Sequence, residues 1–305
     1  MKALVIGYGS IGKKHFKILK SLNKFQSIKI HSSHKRHLSN NLKSIDDIIL
    51  YDPDYIVIAN DTSKHLNYLI ELDKSMFGKK FYVEKPIGLL PTNHIPKNNV
   101  VIGYNLRFHP IIKYLKSRIF KNISKLDSNS FIEIKCTSFL PNWRDKNKYK
   151  NIQSASKSRS GGLLYELSHE LDYANYLFGN LINKKSIFRN ISNPHITTEN
   201  FYFGVFKTKF FKNLNITLSI NDKFSERYIK FTNEDISFKA DFLTNTINLY
   251  KQRKFKRNFI LEQDYLYKKP HIEFIDDNFN NFCKYDESLK LIKLIKNIYS
   301  KAETH

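Results

Sequence analysis

Three groups of residues have the types and spacing for chemistry. The first is Gly7-Tyr8-Gly9-Ser10-Ile11-Gly12, a G-x-G-x-x-G pattern. Between a buried strand and a helix such a turn holds a dinucleotide. Gly7 permits the tight turn, Gly9 admits a pyrophosphate to the backbone, and Gly12 lets the helix pack close to the strand. The helix start adds free N–H groups and a partial positive charge for the phosphates. The competing reading is an ordinary strand-to-helix turn that contains three glycines. The second group is Glu84-Lys85-Pro86. Proline stiffens that turn, and a lysine held there polarises a hydroxyl or carbonyl oxygen over a bound nicotinamide. A solvated surface lysine is the alternative. The third group is GGLLYELSHELD at 161–172. On a helix Glu166, His169 and Asp172 fall at i, i+3 and i+6, with Tyr165 four residues before the histidine. A histidine among carboxylates is a fair general base near neutral pH, and a surface histidine in a salt-bridge cluster is the alternative. No His or Cys pair has ligand spacing, so no metal is expected.

The elements around these groups have a legible order. Ala3–Ile6, Ser27–His31, Asp54–Ala59, Lys80–Val83 and Val100–Gly103 are apolar strand-type runs separated by helical periodicity. Strands alternating with helices imply a doubly wound parallel sheet, with ligands at the carboxyl ends of its strands. The glycine turn, Asn60–Thr62, Glu84–Pro86 and Asn105–His109 all follow strand ends. After the second strand come Ser32, Ser33, Lys35 and Arg36, where a site preferring NAD would carry an acid. Hydroxyls and cations suit a 2′-phosphate, so NADP is the expected cofactor, with NAD the other option. The alternative is that these are plain loop residues.

Beyond residue 104 the texture changes. Pro110–Phe120 and Leu163–Phe178 read as helices, and Phe131–Phe139 alternates like a strand. From 186 to 261 short alternating segments (FYFGVFKTKFF, LNITLSI, RYIKFT, ISFKADF, TINLY, FIL) read as an antiparallel sheet with one face buried. From Pro270 the chain returns to helix, and Ser288–Tyr299 places Leu291, Leu294, Ile295 and Ile298 on one face. The expected fold is α/β, a Rossmann domain over 1–104 followed by an α+β domain over 105–305 with a large, open, mostly antiparallel sheet. The C-terminal helices are free to pack back on the first domain.

A chain of 305 residues with 41% hydrophobic content, 24 Phe and 18 Tyr can fill two cores. No apolar run reaches a membrane span and the chain enters a strand directly, so neither membrane segment nor signal peptide is expected. The two cysteines, Cys136 and Cys283, form no disulfide framework, and the cytosol is the default compartment. The net charge of +23 suits polyanions, nucleic acid included. Yet the lysines are scattered among Asn and Ile without a block of like charge, the pattern of a composition-biased surface. The alternative function from this charge is a regulatory protein that senses NADP(H) and contacts nucleic acid.

Together the segments VIGYGSIGKKH at 5–15, PDYIVIANDTSKH at 53–65, VEKPIG at 83–88, GYNLRFHP at 103–110, LPNWRD at 140–145 and GGLLYELSHELDYANYLFG at 161–179 resemble the Gfo/Idh/MocA oxidoreductases, the glucose–fructose oxidoreductase and inositol dehydrogenase family. The resemblance implies NAD(P)-linked oxidation or reduction of a sugar or nucleotide-sugar carbon, and a homo-oligomer, dimer or tetramer, formed through the open sheet. By position, Lys85 would polarise the reacting oxygen and His169 would move the proton. Asn60, Thr62 and His65 would join the cofactor side, and Asn105, Arg107, Trp143, Arg144, Tyr165 and Asp172 the substrate side. Many members place the helix acid four residues before the histidine, where this chain has Tyr165. By the resemblance the family's catalytic helix acid falls on Glu166, three before, as in a branch that resembles enzymes of surface-polysaccharide sugar synthesis.

Overall fold

The computed structural model describes residues 1–33, 38–121, 126–143, 162–191, 197–301 and 303–304. In chain order its first part is β1 (Lys2–Ile6), α1 (Ser10–Ser21), β2 (Ser27–His31), β3 (Asn41–Leu42), α2 (Ile45–Tyr51), β4 (Tyr55–Ile58), α3 (His65–Ser75), β5 (Lys80–Val83) and β6 (Asn99–Ile102). Then follow α4 (Pro110–Tyr114), β7 (Phe131–Phe139), α5 (Leu163–Glu166), α6 (Ser168–Phe178), β8 (Ile182–Arg189), β9 (Phe201–Lys207), β10 (Asn213–Ser219), β11 (Asn221–Thr232), β12 (Ser237–Asp241), β13 (Thr246–Lys251) and β14 (Arg253–Asn258). The chain closes with α7 (Tyr265–Ile275), β15 (Cys283–Lys284), α8 (Tyr285–Lys301) and β16 (Glu303–Thr304). Two compact units result. One is Met1–Phe108 with Gln263–Ile292, the other His109–Glu262 with Lys293–His305.

The first unit is an α/β domain on a sheet of order β15-β6-β5-β4-β1-β2-β3. All neighbouring strands run parallel except the antiparallel edge pair β15 and β6. Without β15 this is the doubly wound order 3-2-1-4-5-6, whose reversal lies between β1 and β4. Both faces are covered, so β1 and β4 read as unbroken apolar runs. Val5, Tyr55 and Val57 are fully buried and share a core with Leu19 of α1 and Phe274 of α7. Sequence periodicity passed over β3 and α2. Yet α2 has a capping box, with Ser44 Oγ accepting the Asp47 N–H at 3.1 Å and Asp47 Oδ2 accepting the Ser44 N–H at 3.1 Å. The C-terminal helix begins at Tyr265, with Pro270 inside it, rather than at Pro270.

The second unit is built on a sheet of order β14-β13-β12-β11-β7-β10-β9-β8-β16. It is mostly antiparallel, as expected, but β10 runs parallel to β7 and β16 to β8. One face carries the core. Ile132, Ile134, Leu214, Ile216, Phe231 and Ala240 are buried at matching registers, and Phe120 joins Phe178 of α6 to Phe231 by edge-on contacts of 4.9 and 5.5 Å. The opposite face is open and basic. Lys230 and Lys239 are exposed and directly paired in register, near Phe131 and Tyr250 at 41% and 54% exposure. Two expectations are corrected. Phe259–Leu261 is not a strand, and the run of short strands ends instead in the wholly exposed β14 before it. The helix expected over Leu163–Phe178 is two helices, because Leu167 leaves helical geometry at φ −95°, ψ 35°. Among the described residues no helix is long and apolar enough to cross a membrane.

Candidate active site

In the first unit the glycine turn sits where β1 and β4 diverge. Gly7 has φ +91°, and a Cβ there would lie 2.5 Å from the Asn60 N, so only glycine passes. A Cβ on Gly12 would lie 2.0 Å from the Gly7 carbonyl oxygen. A Cβ on Gly9 meets nothing within 4 Å, which leaves open backbone at the start of α1. That helix has neither a side-chain cap nor an acid in its first turn. Its N–H groups and dipole are thus presented to an anion. Tyr8 packs edge-on against Phe16 at 5.6 Å and shapes the outer side of the turn. These features fit a dinucleotide diphosphate.

The neighbouring strand ends are braced by side chains. At the end of β2, Asn41 Oδ1 accepts the Ser32 N–H at 2.8 Å, and His31 bridges the Leu42 carbonyl and the Tyr68 hydroxyl. Ser33 is exposed. Lys35 and Arg36 lie outside the described residues. Between β4 and β5, buried His65 joins two loops, its Nδ1 2.9 Å from the Pro86 carbonyl and its Nε2 3.0 Å from the Asn60 carbonyl. Burial holds this imidazole below its usual pKa against the pull of both carbonyls. It is therefore neutral and donates to one loop at a time. Thr62 starts the short turn before α3.

Lys85 is half-buried at the end of β5, followed by a cis bond to Pro86. Glu84 Oε2 accepts the Lys85 N–H at 3.2 Å, and Glu84 Oε1 lies 2.8 Å from His15 Nε2. Burial pushes the Glu84 carboxyl up. The hydrogen bond from His15, the Lys85 ammonium and the Lys85 N–H outweigh that and hold it below the usual range. Behind His15 the contacts continue to His271 at 2.7 Å and from His271 to the Tyr55 hydroxyl at 2.7 Å. The sequence reading missed this line of groups, and no local pattern joins positions 256 apart. Asn105 is buried and bonds the Tyr267 hydroxyl, whose pKa burial pushes up to about 12. Arg107, expected on the substrate side, has partners within this unit. Only 3% exposed, its Nη1 donates to the Phe282 carbonyl at 2.9 Å and to Glu287 at 2.8 Å, so it braces this unit internally.

In the second unit the short α5 is held at its start. Glu199 Oε1 accepts the Leu163 N–H at 2.9 Å and the Tyr299 hydroxyl, and the Tyr299 oxygen accepts the Leu164 N–H at 3.3 Å. Tyr165 is half-buried and stacks on Tyr299 at 5.8 Å. The break at Leu167 changes the expected constellation. Glu166 closes α5, while His169 and Asp172 lie one turn apart on α6. The helical i, i+3 relation thus holds for His169 with Asp172 and not for Glu166 with His169. His169 is half-buried and Asp172 buried. Next to His169, fully buried Glu170 Oε1 accepts Arg227 Nε at 2.8 Å and Nη2 at 2.7 Å, pinning α6 to the sheet. Trp143 is 37% exposed at the end of a single 3-10 turn after β7. Arg144 lies outside the described residues. Among the described residues no group of three His, Cys, Asp or Glu side chains is placed to hold a metal ion.

No family model and no curated protein sequence matches the chain. Solved structures match over nearly all of it. The UDP-N-acetylglucosamine 3-dehydrogenase GnnA from Acidithiobacillus ferrooxidans aligns at TM-score 0.77 and 16% identity, covering 99% of this chain and 98% of that one. Levoglucosan dehydrogenase, in complex with NADH, aligns at 0.80 and 13%, over 98% and 96%. The WlbA dehydrogenase from Bordetella pertussis, in complex with NADH and UDP-GlcNAcA, aligns at 0.71 and 14%, over 98% and 95%. The chain is similar to these sugar and nucleotide-sugar dehydrogenases in fold, from end to end.

Proposed function

We propose that this chain is an NAD(P)-dependent oxidoreductase acting on a secondary alcohol or ketone carbon of a sugar or nucleotide sugar, with surface-polysaccharide synthesis as its setting. The observation that carries the reading is the glycine turn at the β1/β4 reversal, opening onto an uncapped helix, with Glu84-Lys85-Pro86 two strand ends away. The likeness in fold to dehydrogenases that bind NADH supports it.

When bound, the nicotinamide supplies or accepts the hydride. Gly7, Gly9 and Gly12 seat the diphosphate, and His65 keeps Asn60 and Pro86 in place beside it. The Lys85 ammonium donates to the substrate oxygen and stabilises its developing negative charge. His169 takes the hydroxyl proton in oxidation and returns it in reduction, with Asp172 orienting the imidazole. Glu166 and Tyr165 border the sugar, Asn105 contributes an amide, and Trp143 offers an aromatic face to a sugar ring. At the end of β2 the described residues His31–Ser33 and Leu38–Leu42 include no acid for a ribose 2′-hydroxyl, which favours NADP.

Titration with NADPH and NADH, followed by energy transfer from Trp143, tests the reading. Tighter binding of NADPH is expected. Preference for NADH would retain the enzyme and overturn the cofactor choice. Binding of neither would overturn the function.

A further inference from the structure

Glu84 directly precedes Lys85, and its carboxylate ends a line of buried groups that the function above leaves unused. Tyr55 of β4, His271 of α7 and His15 of α1 are each 0% exposed. The contacts Tyr55–His271, His271–His15 and His15–Glu84 measure 2.7, 2.7 and 2.8 Å. Each imidazole uses both ring nitrogens, so the proton positions are linked. An ionised Glu84 only accepts, which requires N–H at His15 Nε2. His15 Nδ1 is then bare and accepts from His271 Nε2–H, and His271 Nδ1 accepts the Tyr55 hydroxyl. Every proton meets one acceptor, and Glu84 carries the line's single charge. The reverse polarity needs a second proton on His15, an imidazolium with no exposed surface. Tyr82 lies against both imidazoles, at 5.4 and 4.7 Å, and Tyr267 lies 5.7 Å from His15. Beside Glu84 Oε1, the bare Cα of Gly103 keeps space clear, since a Cβ there would sit 3.1 Å away.

We propose that Tyr55, His271 and His15 form a positioning relay that holds Glu84 as an oriented anion beside Lys85 and so keeps Lys85 an ammonium donor toward the reacting oxygen. The proposal rests on the role given to Lys85 above. The three relay residues touch neither substrate nor cofactor and act through Glu84. Methionine at 271 matches glutamine in length but offers no N–H. His15 would then change tautomer freely and present a lone pair to Glu84. Glutamine restores a donor toward His15 and an acceptor toward Tyr55.

Two measurements on the full chain test this. Nitrogen-15 spectra of histidine-labelled protein are expected to show His15 and His271 as neutral Nε2–H tautomers. An imidazolium or Nδ1–H form at His15 overturns the relay, and this readout needs no variant to fold. Acetylation of Lys85 by acetic anhydride, followed across pH by peptide mass spectrometry, reads the ammonium directly. His271→Met is expected to raise the Lys85 reaction rate at pH 8 about tenfold. His271→Gln is expected to return it to within about twofold of the parent. An unchanged rate in the methionine variant overturns the proposal, as does a glutamine variant altered as much as the methionine one. Neither readout uses dinucleotide or sugar, so a failure of NADPH and NADH to bind would count against the oxidoreductase reading alone.

Discussion

Lys85→Ala and His169→Ala are each expected to lower turnover by at least about 100-fold, the usual contribution of a placed proton donor or base. Dinucleotide affinity should stay within about threefold, because neither side chain forms the diphosphate seat. Steady-state rates and a fluorescence titration on the same preparations check both halves. Asp172→Asn separates orientation from proton uptake and should shift the pH profile of turnover more than the KM. His109 gives a residue-scale prediction about stability. It is 2% exposed, its Nε2 donates to Asn245 Oδ1 at 3.1 Å, and its Nδ1 accepts the Ile111 N–H at 3.1 Å as the cap of α4. Burial lowers its pKa to about 4. The unfolded chain therefore binds the extra proton first, and stability falls as pH drops from about 6.5 to 4, by roughly 1.4 kcal/mol per unit. Buried His65 and His271 shift in the same direction. Thermal melts between pH 7 and 4.5 should show this slope, reduced in His109→Asn. Lys85 and His169 were legible as candidates because each sits in a distinctive short segment. The fate of Arg107 was not, since its partner Glu287 comes from a distant helix.

At the scale of elements, two glycines of one turn have different duties. Gly9→Ala meets no neighbour and keeps an extended backbone, with φ −73° and ψ −163°. Its melting temperature should be unchanged while the dinucleotide dissociation constant rises at least about tenfold, because the methyl occupies the place the diphosphate approaches. Gly12→Ala drives a methyl into the Gly7 carbonyl and should lower the melting temperature as well as binding. Calorimetry and titration on the two variants separate the roles. Glu170→Ala leaves Arg227 without its carboxylate and should cost about 3 kcal/mol, as breaking a buried pair does. Chemical denaturation measures it, and a loss of turnover follows if α6 carries the base. The strands of the first sheet were legible because burial on both faces leaves apolar runs. The break at Leu167 was not, because LLYELSHELDY keeps helical periodicity across it. Nor was β14, whose six residues are all exposed and do not alternate.

On the scale of the whole molecule, the open sheet face is where copies of the chain are expected to meet. Lys230 faces Lys239 across the sheet, and Glu133 pairs with Lys230 in register from β7. A two-fold contact on this face would bring like charges together, and added salt would relieve the repulsion. Sedimentation should therefore show dimer or tetramer growing more stable from low to moderate ionic strength. Phe131→Glu with Tyr250→Glu should leave a monomer. The α/β then α+β division was legible from the change of texture after residue 104. That α7 completes the first unit was legible only as an option, because its apolar face records burial without naming the partner.

The first unit is made of two stretches separated by the whole of the second. A ribosome therefore releases β1 to β6 long before it makes α7, and the 154 residues His109–Glu262 emerge in between. Until Tyr265–Ile275 arrives, the first sheet lacks Phe274 in its core, and His15 stands without its donor. The nascent chain must hold this half-built sheet open until the second unit has been made, so the final docking of α7 is a closing step timed by synthesis rather than by local sequence. A stalled chain ending at Glu262 would expose that sheet to proteases and chaperones, and the full chain would not.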